Sequence, residues 1–421
     1  MNRRHFLLAA GACLALPFGR AGWTLRAAET EAGHKRLVVI FLRGAVDGLS
    51  VVVPYGDDAY YGARRSIALK QPGRDGGVLD LDGHFGLHPA LGPLMPQWKS
   101  GSLAFVQACG SPDPTRSHFD AQLYMENGTP GRGATSDGWL NRLLAILPGP
   151  HGAAQALSFG PQIPRIMTGP QPVANIALGE AAEKPLAVDR PAVSQAFAQL
   201  YGGDDKMSRT FQQGVAARQQ MSADMSAQKD AMMSDDHEQM VANNGAPLPQ
   251  GFPDDAARLA RMMRQDPSIR VAFLALGGWD THINQGNAEG QLANRLKPLG
   301  EGLSKLVTGL GPAYQDTLIV VMSEFGRTVH ENGNGGTDHG HGNVMWLLGG
   351  DVIGGKVHGA WPGLVEDRLY QQRDLSVTSD FRAIIGPAVS RHLHLPEGTA
   401  AALFPSAPDF TGGGAPVLVR A

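Results

Sequence analysis

The sequence predicts an α/β fold: a mostly parallel central sheet with helices on both faces. Three observations predict it. Continuously apolar runs recur along the chain, as strands covered on both faces require. Stretches of helical composition lie between them, and that alternation builds parallel sheets. Polar residues of the metal-ligand type collect at the ends of the runs, where such sheets bind ligands.

In chain order, residues 37–42 form the first run, LVVIFL, which ends in Arg43-Gly44-Ala45-Val46-Asp47-Gly48. A second, shorter run at 49–53 stops at Pro54. Residues 103–108 read as a buried strand, followed by a proline-rich turn to Ser117 and a helix over 118–126. Ser117 is a natural N-cap for that helix. Residues 190–245 change character, to Gln, Met, Asp, Ser and Ala, and read as a helical region within the domain. A strand is expected at 269–276, ending in Gly277-Gly278-Trp279-Asp280-Thr281-His282, then a helix over roughly 285–309. A strand at 317–322 ends in Ser323-Glu324-Phe325-Gly326-Arg327. A glycine-rich loop, 332–342, leads into a strand at 344–348, and the last helix covers about 379–393.

The N-terminus reads as a leader over residues 1–30. Arg3 and Arg4 precede an apolar stretch from Phe6 to about Phe18. That is short of the roughly 20 apolar residues a permanent span needs. A charged start, a short apolar run and small residues describe a secretory signal, here of twin-arginine type. Cleavage is expected near Ala21 or at Ala27 and Ala28; Ala10-Gly11-Ala12 ahead of Cys13 is a poor lipobox. The expected location is the periplasm, reached through the twin-arginine translocase, with no permanent membrane span. The remainder, 31–421, keeps one cysteine, Cys109, and so no internal disulfide. That fits a chain folded in a reducing compartment before export. The net charge of −3 argues against a nucleic-acid partner, having no basic excess for phosphates.

The strand ends carry the chemistry. Asp47 follows the first run, Ser117 the 103–108 run, Asp280 and His282 the 269–276 run, and Glu324 the 317–322 run; Asp338, His339 and His341 precede the last. A parallel sheet brings the first groups to one edge. Carboxylates with imidazoles suit zinc, manganese or iron. Two such ions about 4 Å apart can clamp a displacement at phosphorus. Ser117 at a helix N-terminus suits a nucleophile beside an anionic substrate. Arg116 and Arg327 are the expected bidentate partners of its oxyanion. Each residue also has a plainer reading. Asp47 before Gly48 suits a turn, Ser117 and Asp280 suit helix caps, and Glu324 suits an ion pair with Arg327. His84, His88, His118, His330 and His358 receive no role.

The motifs RGAVDGL at 43–49, RSHFD at 116–120, GWDTH at 278–282, SEFGRT at 323–328 and DHGHG at 338–342 resemble a large bacterial family. It is a twin-arginine-exported family of unknown function, distantly similar to the alkaline phosphatase and sulfatase superfamily. The resemblance covers about residues 35–395 and implies an alkaline-phosphatase-like domain. By it, Asp47 stands for the first-strand metal aspartate and Ser117 for the nucleophile. Asp280 and His282 would serve one metal, and Glu324 stands where an aspartate–histidine pair is usual. His341 or His339 would be the final histidine before the edge strand. Three features depart from the superfamily: the close spacing of 280 and 282, Phe325 in a histidine's place, and the dense triplet Asp338, His339 and His341. The implied function is a metal-dependent hydrolase of phosphate or sulfate esters, with one or two divalent ions, zinc or manganese, and a small anionic ester as substrate. The alternative is a non-catalytic exported binding or assembly protein. Lacking a cysteine near Ser117, the chain does not fit a sulfatase that makes formylglycine from cysteine.

Overall fold

The computed structural model describes residues 35–131, 135–149, 155–176, 242–405 and 416–420, with a few isolated positions besides. The expected leader and nearly all of the expected helical region at 190–245 lie outside these residues. Among the described residues no helix is long and apolar enough to cross a membrane.

The described residues form twelve strands: β1 (Arg36–Leu42), β2 (Val52–Val53), β3 (Leu79–Asp80), β4 (Gly86–Leu87), β5 (Leu103–Gly110), β6 (Ala156–Phe159), β7 (Ala174–Ile176), β8 (Val271–Leu276), β9 (Thr317–Ser323), β10 (Asn343–Gly349), β11 (Lys356–His358) and β12 (Ser379–Asp380). The central sheet has the order β11-β5-β10-β9-β1-β8-β6-β7, with β12 beside β5. All its pairings are parallel except those of β10, which runs antiparallel to both β9 and β5. The sheet is therefore mostly parallel, as the alternation of elements implied. Strands β2, β3 and β4 form a separate small sheet.

Successive side chains of the buried strands point to opposite faces and enter two cores. Val38, Ile40 and Leu42 of β1 pack on one side, where helices α4 (Phe252–Gln265) and α5 (Gln291–Leu310) cover the sheet. Leu37, Val39 and Phe41 pack on the other, under helices α3 (Trp139–Ile146) and α6 (Phe381–His392). Helices thus lie on both faces, and burial of each large apolar side chain contributes about 1.5–3 kcal/mol.

Three expectations change. Residues 49–53 are not one strand: α1 (Gly48–Val51) makes a single turn before the two-residue β2. The strand after the glycine loop is not at the sheet's edge; β10 lies between β5 and β9. The helix expected from 285 starts at Gln291, because Gly286 and Gly290 adopt positive φ, which a helix cannot hold. Helix α2 (His118–Asn127) begins at Ser117, whose hydroxyl accepts from the Asp120 amide, and ends at Gly128 in the left-handed conformation.

Gly302 of α5 sets how closely α4 approaches. A Cβ there would lie 2.2 Å from the Phe252 ring. Gly302→Ala gains about 1 kcal/mol of helix propensity and costs about 1–3 kcal/mol in overpacking. The clash should win, lowering the denaturant midpoint; an unchanged or higher midpoint would show that the two helices part freely.

Candidate metal centre

The carboxyl ends of β1, β5, β8 and β9 and the amino end of β10 share one edge of the sheet. Four side chains converge there. His118 projects from the first turn of α2, after β5. Asp280 and His282 follow β8, and His339 comes from the glycine-rich loop before β10. The Nε2 atom of His339 lies 3.0 Å from Nε2 of His118 and 3.0 Å from Nε2 of His282. Asp280 Oδ1 is 2.9 Å from His282 Nε2 and 3.3 Å from His339 Nε2; its Oδ2 is 3.6 Å from His118 Nε2.

The far side of each imidazole is held. Nδ1 of His118 donates to Glu324 Oε1 at 2.8 Å, Nδ1 of His282 to Asp338 Oδ1 at 3.2 Å, and Nδ1 of His339 to the Arg116 carbonyl at 2.9 Å. A ring whose Nδ1 carries the proton presents a lone pair at Nε2. With Nδ1 so engaged, each Nε2 turns toward the Asp280 carboxylate. Ligands 2.0–2.1 Å from a tetrahedral zinc stand about 3.3 Å apart. Ligand atoms of His118, Asp280 and His339 all lie within 4.8 Å of one another, with His282 beside His339 and Asp280, and a histidine backed by an oxygen acceptor is the usual support of a metal ligand.

Glu324 is fully buried and organises this back side. Its Oε1 also accepts from the Gly44 amide and from Gln122, and its Oε2 from the Ser323 hydroxyl. Burial opposes its charge, but the bond to His118 and the amides hold the carboxyl below its ordinary value. Gly44 has φ +110°, and a Cβ there would meet the Asp280 amide at 2.9 Å, so the loop after β1 can press against the ligand loop.

Arg327 is buried and wholly engaged. It donates to the carbonyls of Ala45, Thr337, Gly44 and Trp279 and to Asp280 Oδ1. Burial works against the charge of Asp280, but His118, His282, His339 and Arg327 hold its carboxyl far below the usual range. Burial likewise disfavours charge on His118; its bonds to Asp280 and Glu324 outweigh that and lift its pKa to about 9. His339 is pushed down by burial and by its cationic neighbours.

The other expected site residues lie around this cluster. Asp47 is fully buried and bound elsewhere: Arg64 reaches it at 2.5 and 2.9 Å, and Ser50 and Gln285 donate to it. It is neither a plain turn residue nor a member of the ligand cluster. His341 points away and packs against Tyr370, ring centroids 4.7 Å apart. Ser117 is exposed, with its hydroxyl on the helix cap. Arg116 pairs with buried Asp374 at 2.5 Å and with Gln371. Phe325 stacks on His118, centroids 4.9 Å apart, walling the ring in. His118 had received no role in the sequence reading. Its signal was its position, at the head of the helix that follows a strand-end loop on the ligand edge.

Fold and cluster together define an α/β protein with a histidine-rich candidate metal centre at the carboxyl edge of its sheet. The chain belongs to the DUF1501 family, proteins of unknown function, whose family model matches residues 34–401. No curated protein matches it. Similar solved structures include a 2-O GAG sulfatase, at 10% identity over 88% of this chain and 74% of that one, with a TM-score of 0.37. A protein in the alkaline phosphatase superfamily from Vibrio parahaemolyticus is 12% identical over 77% of this chain and 62% of that one, with a TM-score of 0.37. The lipoteichoic acid synthase LtaP from Listeria monocytogenes is 10% identical over 87% and 74%, with a TM-score of 0.34.

The cluster predicts how the metal-free protein responds to pH. His118 has a folded pKa of about 9 against an ordinary 6.5. Its contribution is complete below pH 6.5 and is lost as pH rises through 9, up to about 3 kcal/mol. His282, raised by its bond to Asp280, adds a loss of the same sign, whereas His339, with a lowered value, opposes folding only as pH falls toward and below its ordinary 6.5. Urea unfolding of chelator-treated protein at pH 6.5 and 9.5 should show the loss; equal stabilities would mean that His118 carries no extra proton.

Proposed function

We propose that the protein holds one divalent transition-metal ion at His118, His282, His339 and Asp280 and hydrolyses phosphate or sulfate esters. The observation that carries the reading is the set of three imidazoles, each fixed at Nδ1, whose Nε2 atoms converge on one carboxylate. Three nitrogens to one oxygen favour zinc over manganese. Among the described residues one group of potential ligands, His118, Asp280 and His339, stands within reach of a single ion, which supports one ion rather than two.

When bound, the ion would polarise an ester oxygen and lower the pKa of a water or hydroxyl. The chain's own groups do the rest. Glu324, Asp338 and the Arg116 carbonyl fix the ring orientations. Arg327 donates to Asp280 Oδ1, the oxygen that also meets His282 and His339, and so fixes the carboxylate, while Oδ2 faces His118. Ser117, exposed beside His118 at the helix N-terminus, is the candidate nucleophile. The leader at 1–30, with Arg3 and Arg4, supports export to the periplasm by the twin-arginine route.

A second reading, a metal-binding exported protein without turnover, draws on the two arginines. Arg327 spends its donors inside the fold, and Arg116 is paired with Asp374. Neither stands ready to clamp an oxyanion.

Elemental analysis of mature protein, purified without chelator or polyhistidine tag, should find about one equivalent of zinc, absent from His339→Ala. Glu324→Gln removes no ligand but weakens the hold on His118, and should lower metal affinity about 10- to 100-fold. Turnover of aryl phosphates or sulfates that disappears in both His339→Ala and Ser117→Ala would establish the hydrolase. Bound zinc with no turnover on any ester would favour the second reading, and a protein that takes up no metal would end both.

A further inference from the structure

We infer that Gln285 is a positioning residue for this centre, holding the two ligand loops at a fixed separation. The inference rests on the metal reading above. Gln285 is fully buried and lies outside the ligand set. Its amide oxygen accepts from two hydroxyls at once, Thr281 Oγ1 at 2.7 Å and Thr337 Oγ1 at 3.1 Å. Thr281 sits between Asp280 and His282. Thr337 stands two residues before His339. One side-chain oxygen therefore joins the loop after β8 to the loop before β10, each within two residues of a proposed ligand.

The other end of the amide is held just as firmly. Gln285 Nε2 donates to Asp47 Oδ2 at 2.7 Å, and Asp47 is locked by Arg64 and Ser50. An acceptor-only carboxylate dictates which end of the amide faces it, so the oxygen must face the threonines. Asp47, at the end of β1, thereby acts on the centre through Gln285 rather than by touching the ion. A third tie runs from the same loop: the Thr337 carbonyl accepts from Arg327, which also holds Asp280. Loosening the threonines would let the imidazoles of His282 and His339 drift from their 3.0 Å approach.

The test compares Gln285→Leu, Thr281→Val and Thr337→Val with the unaltered protein. Each is stripped with chelator and titrated with cobalt(II), read by visible absorption, and with zinc in competition. The native protein must first bind; if it does not, the metal reading fails and this inference with it. Given native binding, Gln285→Leu should weaken zinc about 10- to 100-fold and shift the cobalt bands. Its double variant with Thr337→Val should be no worse than Gln285→Leu alone, because both remove the same tie. Native affinity and native bands in Gln285→Leu would overturn the inference while leaving the metal reading intact. If Gln285→Leu does not fold, the two threonine variants decide, each exchanging a hydroxyl for a methyl at constant shape. Unchanged affinity and bands in both would overturn it equally.

Discussion

The site depends on the burial of one guanidinium. Arg327 gives its donors to carbonyls after β1 and β8, to the loop before β10, and to the Asp280 carboxylate. Removing a charge from water costs several kcal/mol, and only full pairing offsets it. The loops must therefore take the positions that satisfy Arg327, and those positions aim Asp280 and His339 at one another. A lysine could not replace it, since an ammonium lacks the planar fork that reaches so many acceptors from one point.

A second buried charge pair, Arg64 with Asp47, does for the interior of this edge what Arg327 does for its rim. The electrostatics of the two layers differ. Asp47 and Arg64 cancel. Around the cluster, Asp280 and Glu324 exceed Arg327 by one negative charge while the imidazoles are neutral. A proton on His118 balances that deficit. A divalent ion would over-balance it and leave the buried groups with one positive charge, which suits an anionic ligand. The filled centre would thus offer an anion a positive charge that the empty one lacks.

Much of the fold was legible because five core strands are continuous apolar runs, and such runs report burial on both faces directly. Their ends carry polar residues of the ligand type, and Asp280, His282 and His339 do meet at that edge. The reversal of β10 was harder, since an apolar run reads alike in either direction. The clue was physical: residues 324–342 hold no helix able to cross the sheet, so β10 has to return beside β9. The short strands β6 and β7 offered no comparable run. His118 was missed because one histidine on a helix is usually structural. What it meets, 162 and 221 residues along the chain, is a matter of topology. Asp47 and His341 have the right chemistry on the right edge. Nothing in the sequence announced that Arg64 would take the first and Tyr370 the second.

The order of the sheet has a consequence for how the chain is made. Strands from the two halves interleave: β1 takes its neighbours from β8 and β9, and β5 takes one of its own from β10. Neither half contains a closed sheet. At roughly 5–20 residues per second of synthesis, β1 waits tens of seconds for its partners, with both hydrogen-bonding edges open. The nascent chain is thus exposed to strand capture by other polypeptides for most of its birth. A chaperone that shields residues 36–42 until β9 emerges would serve this architecture more than one acting on the finished chain.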